Sequence, residues 1–84
     1  MTLPTIHLNG TSAEILIADI MAARCHLESA YEAIQKTAPN SRDYYTQGPD
    51  ALAAAIAEHR ERLKRVYDVS QELYAMAMGI QDAE

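Results

Sequence analysis

Residues 40–50 read NSRDYYTQGPD and gather the side chains of this sequence that are best suited to recognise a ligand. Arg42 carries a planar guanidinium that pairs with phosphate or carboxylate. Tyr44 and Tyr45 each combine a flat stacking face with a hydrogen-bonding hydroxyl. These residue types predict a recognition site for a nucleotide or a protein surface. They fit equally well an alternative in which the tyrosines cover the open end of a helix bundle while Arg42 and Asp43 fasten the loop.

A basic run, HRERLKR, covers residues 59–65 and contains four of the seven arginine and lysine residues. Two of these four follow a glutamate by four residues, a spacing that forms ion pairs on a helix, so much of the run is explained as a solvated helix face. Arg60 and Lys64 have no acid four residues upstream and share one side of the helix. We therefore regard these two residues as possible anion contacts.

Catalytic and metal-binding patterns are missing from the sequence. The three histidines stand at positions 7, 26 and 59, so no pair has the four-residue spacing of a zinc protease, and no Glu-x-x-His pair of a di-iron bundle occurs. Cys25 and His26 are neighbours on a predicted helix, where their side chains diverge by about 100° and cannot form a nucleophile and base pair. We predict a non-enzymatic protein with no catalytic residues, no metal site and no cofactor.

Net charge and composition exclude further classes of function. The 84 residues carry a formal charge of -5, which argues against a nonspecific grip on nucleic acid or on an anionic membrane as the main activity. No apolar run approaches the roughly 18 residues of a membrane span, and the N-terminus has no secretion signal pattern. The single cysteine fits a reducing compartment. The expected location is therefore the cytoplasm.

Helical periodicity dominates the remainder of the chain. The spacing of Thr11 and Glu14 predicts a capping box at the start of helix 1, which we expect to run over about residues 12–37 until Pro39 interferes. Its apolar stripe follows steps of four and three residues, namely Leu16, Ile20, Ala23, Leu27, Ala30 and Ile34.

Helix 2 is expected to begin at Pro49, because proline suits the first turn of a helix, and to run over about residues 49–78, with Gly79 ending it. The loop between the helices then covers residues 38–48. The helix 2 stripe consists of Leu52, Ile56, His59, Leu63, Val66, Ser70, Leu73, Ala77 and Ile80. His59 is more simply interpreted as a buried histidine bonded to a partner than as a ligand contact.

These elements predict an all-α fold, a single domain over residues 1–84 in the form of an antiparallel two-helix hairpin with a short extended N-terminal arm at residues 1–11. The hairpin alone leaves apolar side chains of helix 2 uncovered, a sign of an interface. These are Tyr67, Val69, Tyr74, Met76 and Met78. We therefore expect a homo-oligomer that completes a coiled-coil-like helical bundle.

The arm and the tyrosine loop lie at opposite ends of such a hairpin. The arm alternates polar and apolar residues, so that His7 and Asn9 face outward. Because the arm is too short to span the hairpin, His7 and Asn9 meet Arg42 and Tyr44 most easily across a subunit boundary. The oligomer is then predicted to hold a composite ligand site.

Two stretches, PTIHLNGTS at residues 4–12 and NSRDYY at residues 40–45, resemble a family of small, mostly uncharacterised proteins of tailed bacteriophages. The resemblance implies a phage or prophage protein that acts in the cytoplasm of a bacterial host. We hypothesise a counter-defence protein that binds and sequesters an anionic nucleotide signal of the host, with Arg42 on phosphate and Tyr44 or Tyr45 on the base. The alternatives are a protein inhibitor of a host defence effector and a structural or assembly module of the phage.

Overall fold

The computed structural model of the chain describes residues 1–83, and this part is all-helical, as predicted. Helix α1 covers Ala13–Gln35, a single turn α2 covers Ser41–Tyr44, a 3-10 turn covers Tyr45–Gln47, and α3 covers Pro49–Asp82. No strand forms within the described residues. The last residue of the predicted domain, Glu84, lies outside them.

The start of α1 is capped one residue later than the predicted capping box. The backbone of Ser12 is extended, with φ -66° and ψ 152°, and its hydroxyl oxygen accepts the backbone N–H of Ile15 at 3.2 Å. Ser12 therefore satisfies one of the free N–H groups of the first turn, which the prediction assigned to Thr11. The helix ends at Gln35 rather than near Thr37, whose hydroxyl and N–H both donate to the carbonyl of Ile34.

The predicted stripe of α3 is confirmed. Every member of it is buried or half-buried, and the four buried members are His59, Ser70, Ala77 and Ile80. Steps of four and three residues keep these side chains on one side of the helix, where they pack against α1.

The stripe of α1 differs from the prediction at two levels. Ala23 and Ala30 are exposed, whereas the next residues, Arg24 and Tyr31, are half-buried. The physical reason is that long amphipathic side chains bury an aliphatic stem or a ring while their polar ends reach the surface. At these two levels the half-buried position is one residue later than predicted. The buried stripe of α1 is therefore less apolar than the sequence pattern indicated.

Helix α3 continues through Gly79 to Asp82, so the prediction that Gly79 ends the helix was wrong. The glycine serves packing instead. A Cβ atom built on Gly79 would lie only 2.7 Å from Cδ1 of Leu3, which shows that the N-terminal arm passes directly over this point of α3. The missing side chain makes room for the arm.

The uncovered apolar residues of α3 lie on both sides of its stripe. At about 100° per residue, Tyr67 and Tyr74 fall on one side, and Val69 and Met76 fall on the other. Met78 belongs to the side of the tyrosines. All of these except the half-buried Met76 are exposed.

The described chain is elongated, with extents of 62 × 20 × 17 Å. Its radius of gyration is 18.7 Å, against about 12 Å for a compact domain of this length. The accessible surface is 6312 Å², which exceeds by about 1,300 Å² the surface of a typical folded monomer of 9.3 kDa. Much apolar surface therefore remains uncovered by the chain itself.

Candidate functional site

The segment that carries the tyrosine pair forms a short capped turn rather than an irregular loop. The side-chain oxygen of Asn40 accepts the backbone N–H of Asp43 at 3.3 Å, and the Asn40 amide donates to the Asp43 carboxylate at 2.9 Å. Gly48 closes the turn with φ 96°, a conformation that favours glycine. The two hydrogen bonds between Asn40 and Asp43 hold the turn together. This is the role that the alternative interpretation of the loop gave to Asp43.

The two tyrosines differ in burial. Tyr44 is half-buried, whereas Tyr45 is 76% exposed. Both line a shallow, mostly apolar cavity of about 310 Å³ together with Pro49 and Leu52. Arg42 is exposed, does not line this cavity, and forms no ion pair with any residue in the range 1–83.

The arm residues lie far from this turn within one chain. The carbonyl of His7 accepts the N–H of Gly10 at 3.1 Å, and the imidazole folds over Gly10, whose Cβ position would be 2.8 Å from Nε2. Asn9 is exposed in the same turn, and Leu8 beside it is 99% exposed. Because the arm packs on the last turns of α3 and the tyrosines precede its first turn, about 50 Å of helix separates the two groups.

The basic residues Arg60 and Lys64 are exposed on α3, and only Lys64 is paired. Its Nζ atom lies 2.6 Å from the carboxylate of Asp68, four residues downstream. The sequence prediction considered only acids four residues upstream. This hydrogen bond and the charge of Asp68 raise the pKa of Lys64 above its ordinary value. Arg60 forms no ion pair in the described part of the chain.

One site that sequence reasoning missed is a groove between α1 and α3, which we call the α1–α3 groove. It has a volume of about 410 Å³ and is lined by Arg24, Glu28, Tyr31, Tyr67 and Gln71, among others. Arg24 and Tyr31 are seven residues apart, two helical turns. Two long side chains with polar ends at this spacing could have indicated a groove beside the stripe. They were passed over because the preceding alanines, Ala23 and Ala30, fitted the apolar pattern better.

Arg24 is held in place by contacts to α3. Its Nε–H donates to the backbone carbonyl of Ser70 at 3.2 Å, and its guanidinium carbon lies 4.6 Å from the ring centroid of Tyr74. The second distance is that of a cation–π contact. Arg24 forms no ion pair within residues 1–83. The guanidinium is therefore fixed at the groove while its charge stays available.

Among the described residues, one buried side-chain polar atom has no hydrogen-bond partner. His59 is only 7% exposed, and its Nδ1 atom forms no hydrogen bond with the described residues. The prediction that this histidine is buried is confirmed, but no bond at Nδ1 accompanies the burial. The position lies on the stripe between the two helices.

Two properties of the described residues concern metal binding and membrane insertion. No group of three or more histidine, cysteine, aspartate or glutamate side chains is placed to hold a metal ion. Among the helices of residues 1–83, none has both the length and the apolar content needed to cross a membrane. Comparison of the chain with protein-family models, with curated proteins and with solved structures returned no match.

Proposed function

We propose that this chain is a non-enzymatic phage accessory protein that works in the cytoplasm of a bacterial host. Its role is to bind and sequester an anionic nucleotide signal of host defence. The active form is a homo-oligomer of antiparallel helical hairpins. The observation that carries the proposal is the capped turn at residues 40–47, which presents Arg42 and Tyr45 exposed on a fixed scaffold.

The order of contacts between the long helices supports the antiparallel arrangement. Arg24 of α1 contacts Ser70 and Tyr74 of α3. Tyr31, further along α1, lines a cavity with Leu63, which comes earlier in α3. Later positions of α1 therefore meet earlier positions of α3, as in a hairpin.

The uncovered surface supports self-association. An excess of about 1,300 Å² per chain would give a dimer interface of about 2,600 Å², within the range of obligate homodimers. The side of the hairpin away from the α1–α3 groove is suited to this contact. It presents the exposed small residues Ala23 and Ala30 of α1 beside Val69 and Met76 of α3, and small residues permit close approach of a second helix.

The composite site across a subunit boundary is supported by the fully exposed Leu8. A leucine without neighbours on an arm is costly in water and fits an apolar cavity. The cavity of about 310 Å³ at Tyr44 and Tyr45 is mostly apolar and lies at the other end of the chain. A head-to-tail contact that seats Leu8 there would carry His7 and Asn9 toward Arg42.

Isothermal titration calorimetry with cyclic di- and mononucleotides tests the proposal. We expect saturable binding of at least one of them, and much weaker binding of inorganic phosphate, because a nucleotide adds a base for tyrosine stacking. A folded protein that binds none of the nucleotides contradicts the proposal. Mass spectrometry of small molecules released by denaturing the purified protein identifies the physiological ligand.

A second candidate function is inhibition of a host defence effector through a protein interface. It is favoured by the 76% exposure of Tyr45, because exposed aromatic residues are frequent anchors of protein contacts. Pull-down from a lysate of the bacterial host separates the two functions. A stable protein partner whose capture needs Tyr45, together with no nucleotide binding, favours inhibition over sequestration.

A further inference from the structure

We infer that the α1–α3 groove and its neighbouring cavity form one binding site for a purine nucleotide. In this site Tyr31 and Tyr67 hold the base, Arg24 and Glu28 contact its edge, and Arg60 and Lys64 contact phosphate. The inference rests on the proposed function for the class of ligand and goes beyond it, because it assigns the nucleotide to this groove rather than to Arg42 and Tyr45 of the turn. It assigns the ligand to residues that the sequence did not single out together.

The first step is that two cavities share one wall. The groove of about 410 Å³ and a second cavity of about 350 Å³ are both lined by Tyr31 and Tyr67. Arg24 and Glu28 lie in the first cavity, and Arg60 and Lys64 lie in the second. The tyrosine pair is thus flanked by cationic groups on both sides. Each cavity has a size typical of small-ligand sites, about 300–1,000 Å³.

The second step concerns the base. Aromatic rings stack on nucleobases of any type, and Tyr31 and Tyr67, which line the same two cavities, offer two such surfaces. Arg24 can donate to the base edge and Glu28 can accept from it, and purines present an acceptor at N7 and, as in adenine, an N–H donor beside it. Pyrimidines also present donors and acceptors, so the preference for a purine rests on its two fused rings, which give a larger stacking face than a single ring.

The third step is that the groove is pre-organised for this task. The guanidinium of Arg24 is already fixed by the Ser70 carbonyl and the Tyr74 ring, so little side-chain entropy is lost when a ligand binds. Glu28 and Glu32 in the same groove repel a bare polyanion. A ligand with N–H donors at one end and charge at the other satisfies both kinds of group.

The fourth step concerns phosphate. Among residues 1–83, no acid lines the second cavity and Arg60 forms no ion pair; the exposed Lys64 also lines this cavity. The ion pair of Lys64 with Asp68 lies in water, where such pairs contribute little, so phosphate can compete with the Asp68 carboxylate. Charge therefore concentrates at the end of the site away from the glutamates.

The test compares groove variants with matched variants outside the groove, in the full chain, by calorimetry with purine and pyrimidine nucleotides. The groove variants are Tyr67→Ala and Arg60→Ala, which change exposed side chains. The control is Arg62→Ala, which lies about 200° around α3 from Arg60. Tyr45→Ala is compared with the groove variants because it removes the exposed tyrosine of the turn at residues 40–47. Circular dichroism verifies that each variant keeps its helices.

We expect Tyr67→Ala to weaken purine binding by about 5-fold to 150-fold, as for loss of a stacked base. Arg60→Ala should weaken binding and reduce its salt dependence, because one phosphate contact is lost. Arg62→Ala should stay within about twofold of the original affinity, and Tyr67→Ala should weaken binding more than Tyr45→Ala does. Pyrimidine nucleotides should bind more weakly than purine nucleotides.

Three results overturn the inference, and they have different meanings. If Tyr45→Ala abolishes binding and the groove variants do not, the turn holds the ligand and only the groove assignment fails. Equal binding of purines and pyrimidines removes the assignment of the ligand as a purine. If no nucleotide binds the unchanged protein, the proposed function fails together with the inference.

Discussion

The two buried polar residues of the α3 stripe are His59 and Ser70. Their place on the stripe was predicted, but their energetic effect was not visible in the sequence. A buried polar atom without a hydrogen bond typically destabilises the fold by about 1–3 kcal/mol. The Nδ1 atom of His59 is such an atom, and the stripe therefore contains a local weakness at one level.

Replacement of His59 by leucine should stabilise the protein. Leucine has a similar volume, removes the unpartnered Nδ1 atom and adds apolar contact, so we expect the free energy of unfolding to rise by about 1–2 kcal/mol. Thermal and urea melts followed by circular dichroism measure the change. His26→Leu is the matched control, because His26 is exposed on α1 and its replacement should change the stability by less than about 0.5 kcal/mol.

A loss of stability in His59→Leu, with His26→Leu unchanged, would show that His59 has a bonding partner in the working protein. In a homo-oligomer that partner would come from another copy. The melt should then be repeated at several protein concentrations, because a contribution from a second chain depends on concentration.

The start of helix α1 depends on which of two adjacent residues provides the cap. Thr11 and Ser12 both have side chains that accept a hydrogen bond, and only the backbone conformation decides between them. In the structure Ser12 Oγ accepts the Ile15 N–H. We expect Ser12→Ala to lower the free energy of unfolding by about 1 kcal/mol and Thr11→Ala to have little effect.

Urea melts of the two alanine variants measure this difference directly. Both substitutions remove one hydroxyl from adjacent exposed residues, so each serves as the other's control for changes in composition. A larger loss in Thr11→Ala would support the capping box predicted from the sequence instead. Equal losses would mean that the two hydroxyls share the cap in solution.

The helices themselves were predictable, whereas several of their details were not. Steps of four and three apolar residues identified both long helices and every member of the α3 stripe, because that period is a property of the helix alone. The role of Gly79 depends on Leu3, which is distant in sequence and packs over it. No local pattern shows that the arm crosses α3 at that residue.

The candidate site likewise has one part that the sequence predicted and one part that it did not. Arg42, Tyr44 and Tyr45 were recognised because they are neighbours in the sequence. The α1–α3 groove joins Arg24 and Tyr31 to Tyr67, and only the packing of two helices brings them to one cavity. Because the prediction placed Ala23 and Ala30 on the stripe, it did not consider Arg24 and Tyr31 as helix contacts. A pattern of apolar residues selects alanine before arginine or tyrosine.

Across the whole molecule, the packed helices α1 and α3 have two unlike sides. The groove side contains tyrosines, Arg24 and glutamates, and the opposite side contains Ala23, Ala30, Val69 and Met76. This separation fits the proposal that one side binds a ligand while the other packs against a second copy. The excess surface of about 1,300 Å² and the exposed apolar side chains support the proposed contact between copies.

The substitution Ala30→Glu tests the association side. A carboxylate at a close helix contact loses water without gaining a partner, so we expect the dissociation constant of the oligomer to rise about 100-fold or more. Light scattering coupled to size-exclusion chromatography at several dilutions measures the mass. Ser29→Glu is the control, because it adds the same charge on the adjacent exposed residue, about 100° around α1. Ser29→Glu should keep the oligomer. If Ala30→Glu keeps its mass, or if the unchanged protein is a compact monomer at all dilutions, the second copy does not pack on this side and the composite site loses its basis.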